Sequence, residues 1–357
     1  MKEVSVFILG YYGFGNWGDE LSLQSIVEEF SSLEQKMGIS FELLVLSRDD
    51  SLPFLASGLV KPVLRRNFAQ LREAIGRCQV LLLGGGSLLQ DATSFRSLLY
   101  YGFIIFWALA RGKAVIFYRC GLGPFHRRIS RQLVSYLLRR SALFIARDPE
   151  TQSAAIELGM EREKVFLGSD PVFSFPQRHF SLQDRREKIA LFLRPFNREK
   201  SEKWKTVIKE LASFSGKKIE LVAFHQDKDQ DWVRELGRLT GCSWVSFSSW
   251  SEIGDYFQEL DCLFTMRLHP AILATLFQIP WFGFDFDPKI VSFCRFWGGE
   301  NLIPLAELSP RVLLDFYRKK EKIVIRSPQI RQTLVERGQQ SHEILEEFWQ
   351  EKLKDIG

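Results

Sequence analysis

The sequence predicts an α/β protein built from two Rossmann-like domains, each with a parallel sheet. Short apolar segments typical of buried strands alternate with longer segments typical of amphipathic helices. Glycine-rich loops follow several of these strands, as they do in doubly wound sheets. The alternation stops at a polar, charged stretch, residues 175–188, and then restarts. That stretch predicts a linker between two domains.

The first half of the chain predicts an N-terminal domain over residues 1–175. Its predicted strands are 4–9, 41–46, 80–83, 114–118 and 143–146. Helices are predicted over 19–37, 67–77 and 96–110, with a basic helix before the last strand.

The second half repeats the pattern and predicts a C-terminal domain over residues 189–330. Its predicted strands are 189–193, 219–224, 244–247, 261–266 and 281–284, with helices over 202–214 and 231–239. A final amphipathic helix, about 329–353, accounts for most of the C-terminal segment 331–357 and could pack back on the N-terminal domain. Two such domains with an active-site cleft between them would form a GT-B-like fold, which alone does not fix function.

Composition narrows the class of protein. The chain has 357 residues, 46% hydrophobic and 25% charged, which is typical of a globular protein with a full core. Its five cysteines form no CxxC pair, which favours a reducing compartment over a disulfide framework or a zinc site. The longest apolar run, 98–110, is shorter than the roughly 18–20 residues that span a bilayer. We therefore expect a cytoplasmic protein.

Positive charge is concentrated in one segment. Residues 51–147 hold fifteen Lys or Arg against Glu73 and Asp91, although the net charge of the whole chain is only +5. This asymmetry predicts an anionic partner such as nucleic acid, lipid headgroups or a phosphorylated carrier. No nucleic-acid-binding motif is present, so we expect no nucleic acid. A solvated basic face and a homo-oligomer interface remain open as alternatives.

Two short segments in the second half carry the strongest candidate chemistry, TMRLHP (265–270) and DPK (287–289). Because a predicted strand precedes them, Arg267 and His269 would lie at its carboxyl end, where ligands bind in α/β sheets. Arg267 and Lys289 supply two cations and His269 a titratable base. This combination suits a small phosphate or carboxylate substrate with proton transfer nearby. The alternative is that Arg267 caps a helix and His269 packs against it.

Three glycine loops follow strands of the first half: GYYGFGNWGDE (10–20), GGGSLLQD (84–91) and GLGP (121–124). Glycines allow positive φ and close approach of the backbone, and a following helix offers N–H groups to an anion. The first loop fits neither the dinucleotide nor the triphosphate motif. Capping of the helix is the alternative role of the aspartate in the first loop. Candidate acceptor or loop contacts are Gly15, Asn16, Asp19, Gly85, Gly86, Ser87 and Asp91.

Taken in order with ARDPET, GSDPVF, TMRLHP and DFDPK, these loops resemble the polysaccharide pyruvyl transferase family, most closely its CsaB-type members. The resemblance covers about residues 6–293. It implies a GT-B-like fold and transfer of the enolpyruvyl group of phosphoenolpyruvate (PEP) to a sugar, forming a pyruvate ketal and releasing phosphate. CsaB-type enzymes modify N-acetylmannosamine in cell-wall polymers that anchor S-layer proteins.

The resemblance also implies site residues. His269 of TMRLHP is the expected catalytic residue, and an imidazole can act as general acid and base near neutral pH. Guanidinium groups suit both anionic ends of PEP. The expected PEP-binding residues are Arg147, Arg267, Leu268 and Lys289. For the arginine of ARDPET, a salt bridge with Asp148 or Glu150 is the alternative.

Some positions keep two interpretations. Asp170 of GSDP either binds a sugar hydroxyl or begins a turn, and His225 either lines the cleft or lies in an exposed loop. Many relatives have glutamine where residues 118–120 (YRC) precede the third loop, which leaves acceptor contacts open there. No cluster has metal-ligand spacing, so we expect neither a metal nor a cofactor, with PEP as co-substrate.

The resemblance suggests a lipid-linked acceptor. An undecaprenyl diphosphate carrier would give segment 51–147 its anionic partner, with peripheral contact at the inner face of an anionic membrane. One rival is a GT-B nucleotide-sugar glycosyltransferase, which would need a late ribose-binding acid, with Glu300 as the candidate. The other rival is a non-catalytic protein that binds a glycan or a lipid surface.

Overall fold

A computed structural model describes residues 3–50, 52, 58–175, 187–195 and 198–356. The chain divides into two compact units. The first holds the residues up to Phe14, Asp19–Phe175 and the residues from Leu334 onward. The second holds Gly15–Gly18 and the described residues from 187 to 333.

The first unit contains a seven-stranded parallel sheet in the order β3-β2-β1-β4-β5-β6-β7. Strand β1 lies between β2 and β4, so the strand order reverses there, and ligands bind at such switch points. Residues 4–10 of β1 are all buried, as expected for a parallel sheet covered on both faces. The strands are β1 (Glu3–Tyr12), β2 (Ser40–Ser47), β3 (Val60–Leu64), β4 (Val80–Gly84), β5 (Ala114–Cys120), β6 (Leu143–Ala146) and β7 (Val165–Leu167).

Helices cover both faces of this sheet. The first five are α1 (Trp17–Met37), α2 (Phe68–Arg77), α3 (Phe95–Ala110), α4 (Arg128–Leu138) and α5 (Pro149–Glu157). Helices α2 to α5 pack into the core on one face. Helix α1 and the end of the last helix of the chain pack on the other. Side chains of Asn67, Ser94 and Asp148 cap α2, α3 and α5.

The second unit contains a six-stranded parallel sheet in the order β10-β9-β8-β11-β12-β13. Its strands are β8 (Lys188–Phe192), β9 (Lys218–Ala223), β10 (Ser243–Ser246), β11 (Leu260–Thr265), β12 (Trp281–Phe284) and β13 (Leu302–Ile303). The remaining helices are α6 (Arg198–Ser215), α7 (Gln226–Thr240), α8 (Trp250–Gln258), α9 (Leu268–Leu276), α10 (Pro288–Phe296), α11 (Pro310–Arg318) and α12 (Lys320–Ile356). Among the described helices, none combines the length and apolar character needed to cross a bilayer.

The last helix differs from its predicted bounds. It begins at Lys320, before the expected residue 329, and runs through Pro328. The predicted start beside Pro328 follows from the preference of proline for the first turn of a helix. In the structure the chain is already helical before Pro328. The edge strands β3, β7 and β13 were also not predicted from the sequence. They are short, and β3 contains Pro62, which is tolerated at an edge but weakens the strand pattern.

Candidate functional site

The turn from β11 to α9 places the TMRLHP residues of the second unit. Arg267 occupies the N-cap position of α9 without making a side-chain capping bond. The Thr265 hydroxyl accepts from the Arg267 N–H at 2.9 Å and donates to the Arg267 carbonyl at 2.8 Å. These bonds fix the turn, so that Arg267, Leu268 and His269 lie partly exposed at the carboxyl end of the strand.

A buried carboxylate orients Arg267. The Arg267 Nη2 donates to Asp229 Oδ1, and Asp229 Oδ2 accepts the His225 backbone N–H at 2.9 Å. The Arg267 side chain is only 12% exposed. Its Nε is buried and has no hydrogen-bond partner within the described parts of the chain. The guanidinium is therefore fixed in position but keeps a donor for a ligand.

A second arginine, which sequence reasoning missed, lies in the same unit. Arg194 follows β8, and its Nη1 lies 3.3 Å from Asp287 Oδ2. Burial and the positive charge of Arg267 lower the pKa of Arg194, against the opposing effect of the carboxylates of Asp287 and Asp229. Two like charges held close in a partly buried place are typical of an anion-binding site. The signal was available, because Arg194 follows an apolar strand just as Arg267 does.

Lys289 comes from the neighbouring strand end. Asp287 caps α10 after β12, and its Oδ1 accepts the Lys289 backbone N–H at 3.0 Å. Asp287 thus divides its oxygens between this cap and Arg194. Strand β12 pairs with β11, and β11 with β8. Three cationic residues therefore follow the carboxyl ends of three adjacent strands: Arg194, Arg267 and Lys289.

Part of the first glycine loop belongs to this second unit. The Trp17 N–H donates to the Phe224 carbonyl at 3.2 Å, and the Gln226 N–H donates to the Gly15 carbonyl at 2.8 Å. Asn16 forms an antiparallel bridge with His225. The predicted contacts Gly15 and Asn16 are thus in the same unit as His269.

Gly18, in the same loop, lies directly against the imidazole of His269. A Cβ added at Gly18 would overlap that ring. Glycine is the residue that allows this close approach of backbone and ring. Sequence reasoning did not single out Gly18 among the loop glycines, because only the packing shows which glycine touches a ring.

His225 is buried, so its interpretation as part of an exposed loop is wrong. Burial, together with the positive charges of Lys228 and Arg267, lowers the pKa of His225 to about 3. Its imidazole is therefore neutral at physiological pH. Through its backbone it connects Asn16 to Asp229, which makes it a positioning residue for the loop and for Arg267.

The first unit contains a separate group of predicted site residues around Arg147. The Arg147 Nε lies 3.5 Å from Asp148 Oδ2, and its Nη1 lies 3.9 Å from Asp170 Oδ2. The alternative salt bridge with Asp148 therefore exists beside a second, longer contact. A Cβ added at Gly121 would lie 2.8 Å from Arg147 Nη2 and would overlap Ser87 Oγ. Ser87 and Arg147 both lie against the backbone of the third glycine loop.

The same unit places the remaining predicted loop contacts. Gly85 and Gly86 have φ of +66° and +63°, and the Gly121 N–H donates to the Gly86 carbonyl at 2.6 Å. A Cβ at Gly86 would lie 3.2 Å from Asp19 Oδ1. The loops after β1, β4 and β5 thus meet. Asp91 has a different role, since its carboxylate accepts the backbone N–H groups before α4.

Asp170 begins a turn, which was one of its two interpretations. Its Oδ1 accepts the Val172 N–H at 3.2 Å and caps a 3₁₀ turn, Pro171–Ser174. The segment before that turn is held by Arg119, which is fully buried. Arg119 donates to the carbonyls of Ser169 and Asp170 and forms an ion pair with Glu29 at 2.7 Å. Arg119 therefore acts inside the unit and does not face an acceptor.

Glu20 was also missed by the sequence reasoning. Its Oε1 accepts the Gly13 N–H at 2.8 Å, which ties the start of the first glycine loop to α1. Burial raises the pKa of Glu20 to about 8, and the nearby carboxylates of Asp19 and Asp49 act in the same direction. Glu20 therefore holds the loop largely as a neutral acid at neutral pH.

Several solved structures have a similar fold. HepE from Anabaena, in complex with UDP and glucose, is 13% identical with a TM-score of 0.61, over 96% of this chain and 99% of that one. UDP-GlcNAc 2-epimerase from Neisseria meningitidis is 12% identical with a TM-score of 0.59, over 98% and 100%. A glycosyltransferase from Rickettsia africae is 10% identical with a TM-score of 0.59, over 99% and 100%. These similarities confirm the prediction of two parallel α/β domains with a GT-B-like fold.

Sequence comparison identifies the family. No curated protein sequence matches the chain. The family model for polysaccharide pyruvyl transferases matches residues 16–288, from Asn16 within the first glycine loop to the proline of DPK. Members of this family are transferases. The chain belongs to the polysaccharide pyruvyl transferase family.

Proposed function

We propose that the protein transfers the pyruvyl group of PEP to a sugar as a ketal, releasing phosphate. The observation that carries the proposal is the pair Arg194 and Arg267 on adjacent strand ends, with His269 two residues after Arg267. This arrangement combines two cations for an anionic donor with a group that can move protons. It agrees with the expectation from the family.

The charges of PEP fit these groups. PEP carries a carboxylate and a phosphate, and a guanidinium can bind either one through two parallel hydrogen bonds. In the proposal, Arg194 and Arg267 hold the anionic ends together with Lys289. Leu268 adds an apolar contact. Arg147, in the first unit, is included on the resemblance alone.

The proposed reaction needs balanced proton transfer. His269 donates a proton to the methylene carbon of PEP, which becomes the methyl group of the ketal. Two sugar hydroxyl oxygens form bonds to C2, and the bond from C2 to the phosphate oxygen breaks. One hydroxyl proton restores His269 and the other leaves with phosphate. The cations offset the charge that develops on the departing phosphate.

For the acceptor we propose N-acetylmannosamine in a lipid-linked cell-wall precursor, as in the CsaB-type members. Its proposed contacts are the first-unit loop residues Asp19, Ser87 and Asp170 and the neighbouring glycines. The second oxygen of Asp170, Oδ2, lies 3.9 Å from Arg147 Nη1. Carboxylate and hydroxyl groups of this kind are suited to binding sugar hydroxyls.

A nucleotide-sugar glycosyltransferase is the second candidate, since the solved structures with this fold include a glycosyltransferase and a complex with UDP-glucose. Its expected ribose-binding acid, Glu300, is exposed and lies 3.5 Å from Arg326 in an ion pair. The paired arginines beside DPK favour PEP over a nucleotide. We therefore rank pyruvyl transfer first.

The test is phosphate release from PEP with and without a lipid-linked disaccharide containing N-acetylmannosamine, followed by mass spectrometry of the sugar. Acceptor-dependent release with the mass gain of one pyruvyl ketal is the expected result. His269→Ala should lower turnover by about 10²–10⁴-fold, because it removes the general acid–base group. His126→Ala, a change at an exposed histidine before α4, is the matched control.

The outcomes separate the candidates. PEP binding without turnover would keep the reaction class and reject this acceptor. Turnover of a UDP-sugar with no binding of PEP would instead establish the glycosyltransferase. A His269→Ala protein with nearly full turnover would refute the assigned role of His269.

A further inference from the structure

Helix α3 in the first unit exposes an apolar stripe. Leu99, Phe103 and Phe106 are 44%, 53% and 45% exposed. Their spacing of four and three residues places them on one side of the helix. Side chains on the other side, such as Ile104 and Ile105, are in the core. After its first turn the helix is therefore apolar on all sides, although one side is in contact with solvent.

The exposed aromatic groups continue onto the two neighbouring helices. On α4, the Tyr136 ring lies 6.1 Å from that of Phe106, and on α2 the Phe68 ring stacks on Trp107 at 5.3 Å. Both flanking rings are themselves exposed. An exposed apolar patch of this extent marks an interaction surface. We call it the aromatic face and define it as Phe68, Leu99, Phe103, Phe106 and Tyr136.

Positive charge predominates around the aromatic face, since α2 is the only one of its three helices with a carboxylate, Glu73, which pairs with Arg77. The sequence holds no acidic residue between Asp91 and Asp148. Exposed arginines stand on the same three helices and at their ends: Arg72, Arg96, Arg111, Arg128, Arg131 and Arg140. Aromatic rings with a basic surround match the interface of an anionic bilayer, where rings enter the headgroup region and arginines meet lipid phosphates.

A second copy of the chain fits this surface poorly. A symmetric contact would place the same arginines opposite each other, and α3 and α4 contain no carboxylate to offset them. Like charges placed opposite one another at an interface oppose association. The charge therefore favours a bilayer as the occupant.

We propose that the aromatic face inserts into the headgroup region of an anionic phospholipid membrane. The basic segment alone predicts binding that salt abolishes. Exposed rings add a part that salt does not screen, since it depends on apolar burial. This inference deepens the proposed function. Its link to a lipid-linked acceptor rests on that function, whereas membrane binding itself does not.

The test is sedimentation of the full-length protein with vesicles of phosphatidylcholine, with and without phosphatidylglycerol. We expect binding at low salt to be much stronger when phosphatidylglycerol is present, and a weaker fraction to persist at about 1 M salt, where the Debye length is about 3 Å. Phe103→Gln/Phe106→Gln should weaken binding at least tenfold and abolish the salt-resistant fraction. Ile325→Gln, at an exposed apolar residue of α12, is the control and should bind normally.

Three results would overturn the proposal. The first is that the unmodified protein does not bind phosphatidylglycerol vesicles at low salt. The second is that the double variant binds as well as the unmodified protein. The third is that the unmodified protein is a dimer and the double variant a monomer, while neither binds vesicles. The last would identify a subunit interface. Phosphate release from PEP with a water-soluble acceptor is measured in parallel. If neither the unmodified protein nor the variants release phosphate, that result would count against the proposed function and leave the vesicle result unaffected.

Discussion

Arg119 in the first unit and Arg267 in the second are both largely buried, and each pairs with a buried carboxylate. Their remaining donors differ. Arg119 is 0% exposed and donates to Glu29, to the side chains of Ser169 and Ser174, and to two backbone carbonyls. Arg267 has its Asp229 partner and a buried Nε without a partner in the described chain. A second arginine, Arg194, lies nearby.

This difference shows how buried arginines can be sorted by function. An arginine whose donors all meet protein acceptors stabilises the fold, because no donor remains for a ligand. An arginine that is oriented by one carboxylate and keeps donors unused, beside another positive charge, is prepared for an anion. The first kind should affect stability when it is changed, and the second should affect substrate binding.

The largest expected effect is on the stability of the first unit. Arg119→Met leaves Glu29 buried without its cation, which should lower the free energy of unfolding by about 3–5 kcal/mol. Denaturant unfolding measures this change. Lys164→Met is the control, since Lys164 forms an exposed ion pair with Glu161 that should contribute about 1 kcal/mol or less.

PEP binding by the folded fraction of Arg119→Met should match that of the unmodified protein. A variant that keeps its stability but loses PEP binding would reverse the roles assigned to the two arginines.

The next largest effect is expected at Gly18. Gly18→Ala places a methyl group where the His269 ring lies, so the imidazole must move. Displacing a reacting group by about 1 Å can cost about 100-fold in rate, and we expect a loss of that size in kcat with little change in stability. Gly254→Ala, on α8 with open space at its Cβ position, is the control. Normal turnover by Gly18→Ala would exclude the contact as a requirement for activity.

Arg194 should have a smaller effect that is specific to the donor. Arg194→Gln removes one charged hydrogen-bonding group, and such groups contribute about 1.5–3 kcal/mol. The KM for PEP should therefore rise about 10- to 100-fold, while the KM for the acceptor stays the same. Steady-state kinetics with each substrate varied in turn tests this. Arg234→Gln, at an exposed arginine of α7, is the control. An equal change in both KM values would argue for a general structural role.

The smallest effect is the pH dependence of the first glycine loop. The pKa of Glu20 is about 8 in the fold and about 4.3 in an unfolded chain. Between these two pH values the folded state therefore binds one more proton than the unfolded state, and the proton stabilises the fold. This stabilisation is complete below about pH 4.3. It is lost as the pH rises through the folded pKa, at up to about 1.4 kcal/mol per pH unit.

Glu20→Gln should lack that dependence. Denaturant unfolding at about pH 6 and pH 8 should show the unmodified protein losing stability relative to Glu20→Gln. Glu73→Gln, at an exposed glutamate of α2, should follow the unmodified protein. Parallel curves for Glu20→Gln and the unmodified protein would contradict a neutral Glu20.

Local pattern accounts for what the sequence could predict. The parallel sheets and the strand-end positions of Arg267, His269 and Lys289 follow from apolar runs that end at glycine or charged residues. Arg194 obeys the same rule but lies outside the recognised motifs. Two features depend on partners far along the chain: the pairing of every Arg119 donor, for example with Glu29, and the raised pKa of Glu20. Which glycine touches His269 likewise depends on tertiary packing, which no local pattern encodes.

The membership of Gly15–Gly18 in the second unit has a consequence for protein engineering. The chain enters that unit after Phe14, leaves it at Asp19, and returns only after Phe175. A fragment cut at the linker would separate Gly18 from His269, although both belong to one compact body. Chimeras that exchange second domains between family members should therefore carry this tetrapeptide with the later segment. The two halves of the gene are not independent modules.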